Sequence, residues 1–136
     1  SIEDILKKRA VFINRNKGSG TRLLFDYLLH EKQIDSAEIT GYDSEAESHL
    51  QAGLHIIRGN ADCAFGIKHI AHILDLFFIP LYSEQFHMII AKDRFYNSHV
   101  KNFLTFFEQP SILTRIKDFT GYDTTKIGRL LYPDNV

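Results

Sequence analysis

Residues 10–25 read AVFINRNKGSGTRLLF, and this stretch decides the fold of the chain. Its first apolar run is typical of a buried strand over residues 10–14, and its second falls on a predicted helix over residues 19–30. The apolar stripe predicted for this helix consists of Leu23, Leu24, Tyr27 and Leu28. The order of strand, glycine-rich loop and helix predicts a βα unit whose loop lies at the carboxyl end of the strand.

Two familiar nucleotide loops do not fit this bend. A Walker A loop requires two glycines five residues apart and a Gly-Lys-Ser/Thr ending, and here Lys17 precedes the glycines. A dinucleotide fingerprint requires a third glycine at the position that Leu23 occupies. The bend therefore needs another explanation.

The residues of the bend have the chemistry of an anion site. Gly18 and Gly20 allow a tight turn that leaves amide N–H groups at the start of the helix, where the helix dipole is positive. Ser19 and Thr21 add hydroxyl donors, and Arg15 adds a forked donor that matches an oxyanion. An ordinary helix cap at Ser19 with a permissive glycine turn is the alternative.

Helices and strands continue to alternate beyond this unit. Ser44 and Glu47 form a capping-box pattern, which predicts that a second helix begins at Ser44 and ends at Gly59. The other predicted elements are strands over 62–67, 77–82 and 86–91 and helices over 1–8, 68–75, 98–108 and 111–119. This alternation predicts an α/β protein with a mostly parallel sheet flanked by helices.

Composition limits the classes of function. The 136 residues carry a formal net charge of -1, so bulk charge does not suit the chain to binding nucleic acid. Cys63 is the single cysteine, which excludes an internal disulfide and favours a small buried thiol. Neither an apolar run of membrane-spanning length nor a signal peptide is visible, so no membrane partner is expected.

Four ordered blocks resemble a known family: FINRNKGSGTRLLFDYLL, ITGYDSEAESHLQAG, GNADCAFGI and LDLFFIPLYSEQFHMII. Arg15 followed by Ser19-Gly20-Thr21 resembles the anion loop of phosphate-binding proteins of the type 2 periplasmic-binding-protein fold. The four blocks together are similar to the binding-protein-like domain of molybdate-related transcriptional regulators and molybdopterin-biosynthesis proteins. The resemblance implies a single ligand-binding region over 1–136, with a ligand-binding lobe over 10–75.

The same resemblance implies that residues 76–136 hold crossover strands and C-terminal helices directed toward a missing lobe. Only a short helix precedes the first matched strand, so we expect the chain to lack the N-terminal part of the usual domain. The chain would complete its sheet with that part or with another copy, as a homodimer.

In such folds, helix N-termini line a cleft that holds the ligand, which adds four candidates to Arg15, Ser19, Gly20 and Thr21. Ser44 is expected to cap the second helix, with a ligand contact as the alternative. Glu45 and His49 are predicted one turn apart on a single helical face, and His49 is a donor whose charge varies near neutral pH. Lys68 begins the third helix and is expected to face the ligand or the solvent.

No nucleophile has an evident base and no metal spacing is convincing, so we expect neither catalysis, nor a cofactor, nor a metal. The resemblance implies a cytoplasmic sensor that binds a small anion such as molybdate or tungstate. It would contact DNA only through an attached helix-turn-helix domain that this chain does not contain. An exported, periplasmic solute-binding protein and an accessory lobe of a molybdopterin-biosynthesis protein are the alternatives.

Overall fold

Three short parallel strands form the sheet in the computed structural model, which describes residues 1–129. They are β1 (Phe12–Arg15), β2 (Glu45–Ala46) and β3 (Cys63–Ala64), in the order β2-β1-β3. Both pairings of the central strand β1 are parallel. The predicted α/β class with a parallel sheet flanked by helices is therefore confirmed.

Six α-helices accompany the strands in the described part of the chain. They are α1 (Ile2–Lys7), α2 (Gly20–Glu31), α3 (His49–Ile57), α4 (Lys68–Ile73), α5 (Ser98–Phe106) and α6 (Pro110–Lys117), and a 3-10 turn covers Ser36–Glu38. The helices predicted over 1–8, 19–30, 68–75, 98–108 and 111–119 are all present, and each begins and ends within two residues of its predicted bounds.

Apolar clusters cover both faces of the sheet. Neighbouring residues of β1 point to opposite sides, so each packs into a different cluster. Phe12 belongs to a cluster on one face with residues of α1 and α2, and its ring lies 4.5 Å from that of Phe25. Ile13 belongs to a second cluster with Ala46 and with Ala52 of α3. A strand that is apolar on both faces is the expected centre of a parallel sheet.

The buried stripe of α2 differs from the prediction. The fully buried residues of α2 are Arg22, Phe25 and Leu29, whereas Leu23 is 63% exposed. The aromatic contact of Phe25 with β1 sets the face that the helix turns inward. An arginine occupies one position of this face, which is why apolar periodicity alone selected the neighbouring stripe.

The predicted start of the second helix was wrong. Ser44 does not cap a helix, because its carbonyl accepts a hydrogen bond from the Asn14 amide (2.8 Å) and residues Glu45–Ala46 form β2. Helix α3 begins four residues later, after its N-cap Ser48. Pairing with β1 and burial of Ala46 outweigh the local capping preference at Ser44.

The turn before β2 packs closely on β1. Gly41 has a φ of +85°, and a Cβ atom at this position would lie 2.1 Å from the Phe12 carbonyl oxygen. The Thr40 carbonyl beside it accepts a hydrogen bond from the Phe12 amide (2.8 Å). Only glycine combines this backbone conformation with so close an approach, so the turn fixes where β2 begins.

The strands predicted over 77–82 and 86–91 were also wrong, because the structure has no strand in either range. Pro80 lacks an amide donor, and none of the described residues supplies a neighbouring strand to residues 77–90. The chain divides into two compact units, Ser1–Leu81 and the part that begins at Tyr82. Residues 130–136, the end of the predicted C-terminal region, lie outside the described residues.

Candidate functional site

The carboxyl edge of the sheet brings three helix starts together. Helix α2 follows β1, α3 follows β2 and α4 follows β3, and all three strands point the same way. The first amides of a helix have no intrahelical acceptor and carry a fractional positive charge. The edge is therefore rich in N–H donors.

The start of α2 keeps donors available for a ligand. Ser19 is its N-cap, and the hydroxyl oxygen accepts a hydrogen bond from the Arg22 amide at 3.2 Å. The hydroxyl proton remains a donor. Gly20 is exposed and Thr21 is half-buried, and their amides donate to no acceptor within residues 1–129. Ser19 thus caps the helix, and capping leaves the turn open to an anion.

Arg15 ends the central strand and holds the end of β2. Its Nε donates to the Ala46 carbonyl (3.2 Å), and its Nη2 donates to the Glu47 carbonyl (3.1 Å) and more weakly to Asn16 Oδ1 (3.4 Å). All three acceptors are neutral, and Arg15 forms no ion pair with any described residue. Its positive charge is therefore fixed in place beside the edge without a carboxylate to neutralise it.

Glu45 lies in β2 rather than on a helix with His49, so the predicted shared helical face was wrong. Its carboxylate pairs with Nη1 of the buried Arg22 at 3.5 Å. The closer partner of Arg22 is Asp26, at 3.0 Å, and the Tyr42 hydroxyl donates to that carboxylate at 2.7 Å. Since Arg22 partly neutralises Glu45, its repulsion of an anion at this edge is reduced.

His49 is the first residue of α3, half-buried, and its Nδ1 is buried with no hydrogen-bond partner among the described residues. Burial, and then the positive charge of Arg15, lower the pKa of His49 below its usual value. The imidazole is therefore mainly neutral at pH 7. An anion that bound nearby would offset both effects and favour the protonated ring.

The other two candidates are less closely connected. The Ser44 side chain is exposed and the residue belongs to the turn into β2. Lys68 is the exposed first residue of α4, and its side chain forms no hydrogen bond or ion pair in the described range. Asn16 is hydrogen-bonded to both Arg15 and Ser19, and the positive charge of Arg15 lowers the pKa of His49.

Sequence reasoning missed two residues that build this edge. Ser48 caps α3 by accepting from the Gln51 amide at 3.0 Å, and the pattern Ser48-x-x-Gln51 is a second capping signal that could have revealed it. The second is Arg22, whose side chain donates to the Arg15 carbonyl (3.4 Å) as well as to the carboxylates of Asp26 and Glu45. Only the four-residue spacing from Asp26 hinted at its pairing.

The comparisons with known proteins agree with this fold. A family described as the PBP superfamily domain matches residues 1–108, so the chain belongs to that family. It is 28% identical over 129 residues to the uncharacterized protein YvgK of Bacillus subtilis (strain 168), covering 95% of this chain and 41% of YvgK. No solved structure gives a significant match.

A second relative comes from Clostridium pasteurianum and is described as an uncharacterized protein in the ferredoxin 2Fe-2S gene 5' region. It is 26% identical over 110 residues, which cover 80% of this chain and 97% of that protein. The chain thus spans under half of one relative and nearly all of the other. Within residues 1–129, no helix has the length and apolarity that a membrane span requires.

Proposed function

We propose that this chain is a non-enzymatic ligand-binding module that recognises a small oxyanion at the carboxyl edge of its sheet. In this proposal the anion lies against the first turn of α2. Molybdate or tungstate is the favoured guest, and phosphate and sulfate have the same donor requirements. Binding would be passed to an attached DNA-binding domain of a regulator.

The observation that carries the proposal is the set of unused donors at the start of α2. The Gly20 and Thr21 amides have no acceptor among the described residues, and the Ser19 hydroxyl can still donate. Hydrogen bonds to a charged group contribute on the order of 1.5–3 kcal/mol each. Three such bonds are enough to hold a small anion without a metal ion.

Electrostatics support the same conclusion. Arg15 brings an unneutralised charge to the edge, and its hydrogen bonds to the Ala46 and Glu47 carbonyls fix its position before a ligand arrives. His49 adds a buried Nδ1 with no protein partner within the described range. Membership of the PBP superfamily fits a ligand-binding role but leaves the ligand open.

Calorimetric titration of molybdate, tungstate, sulfate and phosphate tests the proposal. We expect at least one of the four anions to bind with a stoichiometry of one. Thr21→Ala removes a hydroxyl at the turn and should weaken binding by about tenfold. Thr40→Ala is the matched control, because Thr40 is exposed in the turn before β2 and its side chain makes no hydrogen bond within residues 1–129.

Circular dichroism would show that both variants remain folded. If none of the four anions binds to the full polypeptide, the oxyanion proposal is refuted. Binding that Thr21→Ala and Thr40→Ala weaken equally would place the anion away from the α2 turn.

A further inference from the structure

Two buried polar residues contact the main chain of Arg15, the arginine of the proposed anion site. Of the residues that the structure describes, Asn14 and Arg22 are the fully buried ones with polar side chains, at 1% and 4% exposure. The Arg15 amide donates to Asn14 Oδ1 at 2.9 Å, and the Arg15 carbonyl accepts from Arg22 Nη1 at 3.4 Å. Both side chains therefore bind the same short piece of backbone.

The sheet supplies no strand partner for these two backbone atoms of Arg15. The pairing of β3 with β1 ends at Ile13, and the amides that pair with β2 are those of Asn14 and Asn16. A backbone amide or carbonyl that is withdrawn from water without a partner is costly. The side chains of Asn14 and Arg22 therefore take the place of a neighbouring strand at Arg15.

Two further residues join Asn14 to Arg22. Asn14 Nδ2 donates to the Tyr42 carbonyl at 3.1 Å, and the Tyr42 hydroxyl donates to Asp26 at 2.7 Å. Arg22 Nε donates to the same carboxylate at 3.0 Å, and the guanidinium carbon lies 4.2 Å from the centre of the Tyr42 ring. These contacts form a closed polar ring that runs through Asn14, Tyr42, Asp26, Arg22 and Arg15.

Stability alone is a weak reason for burying a charged group in this ring. Removing a guanidinium from water is costly, and an apolar replacement of a buried ion pair often gives an equally stable fold. What the closed polar ring supplies is geometry, because it holds the main chain of Arg15 while the Ala46 and Glu47 carbonyls hold the side chain. A donor that is already ordered loses little conformational freedom when an anion binds, and affinity gains accordingly.

We infer that Arg22 is a positioning residue for the anion site. Through the closed polar ring it holds the main chain of Arg15, and so keeps the Arg15 guanidinium at the carboxyl edge before a ligand binds. Arg22 acts through Arg15 rather than on the anion, because its own side chain is only 5% exposed. The inference rests on the proposed function, since Arg15 has a ligand only if the edge binds an oxyanion.

Calorimetric titration of molybdate, tungstate, sulfate and phosphate into wild type and Arg22→Lys tests the inference. Lysine keeps the positive charge beside Asp26 and Glu45, but it lacks the rigid fork that reaches a carboxylate and the Arg15 carbonyl together. We expect the anion that binds wild type to bind Arg22→Lys about tenfold more weakly.

Arg58→Lys is the matched control for this substitution. Arg58 follows the last turn of α3, is exposed, and its side chain makes no hydrogen bond or ion pair within residues 1–129. The anion affinity should therefore be unchanged in this variant.

Nuclear magnetic relaxation of the chain without an anion separates positioning from folding. The order parameter of the Arg15 Nε–H group should fall in Arg22→Lys, whereas those of the α2 backbone amides should stay at their wild-type values. Tyr42→Phe is a milder variant, because it removes the hydroxyl that donates to Asp26 and keeps the aromatic ring. It should lower the anion affinity by about threefold.

Wild-type affinity in Arg22→Lys would overturn the inference and leave the proposed function standing, because the charge alone would then be sufficient. Weaker binding with an unchanged Arg15 order parameter would also overturn it, since Arg22 would then not position Arg15. If Arg22→Lys does not fold, an unchanged affinity in Tyr42→Phe decides against the inference. If wild type binds none of the four anions, the proposed function and the inference are both wrong.

Discussion

His49 is the residue that best distinguishes a site that binds an anion from an ordinary helix start. Its Nδ1 is buried without a partner in the described range, and burial and Arg15 lower the pKa of the ring. The folded state therefore binds fewer protons than the unfolded state just below pH 6.5. The stability that His49 contributes is present above this pH and is lost as the pH falls through the folded pKa.

Anion binding should raise the pKa of His49 and be coupled to proton uptake. We expect the affinity for molybdate to increase as the pH falls from 7.5 to 6.0, by up to about tenfold per pH unit. Calorimetry in two buffers of different ionisation enthalpy counts the protons taken up. His49→Gln should remove both the uptake and the pH dependence, and an unchanged pH dependence in that variant would rule His49 out as the titrating group.

Among the elements, the start of α3 shows that strand pairing can outweigh a local helix signal. Both Ser44 and Ser48 precede a Glu or Gln by three residues. Ser44 is paired with β1, because the Asn14 amide donates a hydrogen bond to the Ser44 carbonyl. The helix therefore begins after Ser48. The choice between the two serines is made by tertiary contacts.

Alanine substitution at the two serines tests this assignment. Ser48→Ala should lower the free energy of unfolding by about 1 kcal/mol, because the Gln51 amide loses its acceptor. Ser44→Ala should change the free energy of unfolding by less than about 0.5 kcal/mol, since the Ser44 side chain is exposed and makes no hydrogen bond in the described structure. Urea unfolding measures both free-energy changes. A larger loss for Ser44→Ala than for Ser48→Ala would indicate that Ser44 caps the helix, as the sequence predicted.

Across the whole molecule, buried residues are distributed unevenly. Every fully buried hydrophobic residue in the described range lies in the unit that ends at Leu81, from Ile2 to Ala61. Helices α5 and α6 contain none. Burial of apolar surface is the main source of stability, so the two units should differ in local stability.

Hydrogen exchange at low protein concentration measures this difference. Amides of β1 and α2 should exchange most slowly, and amides of α5 and α6 should exchange many times faster. Exchange at equal rates in the two units would show that the second unit is as well supported as the first.

Periodicity and glycine placement were enough to predict the βα unit and the parallel sheet, because those signals are local. Other features depend on contacts between distant residues. The face that α2 turns inward depends on its contact with Phe12, and the ion pair of Glu45 depends on Arg22. The start of α3 depends on the pairing of β2 with β1. The start of α2 after its N-cap Ser19 could be predicted because the signal for a helix start lies in a few adjacent residues.

The position of β1 between β2 and β3 has a consequence for biosynthesis. Translation produces the middle strand before either of its partners, which lie about 30 and 50 residues further along the chain. A nascent polypeptide therefore carries an apolar ribbon with two open edges until Ala64 has left the ribosome. During that interval we expect the emerging chain to depend on chaperones, and a pause in translation before β3 would prolong its exposure.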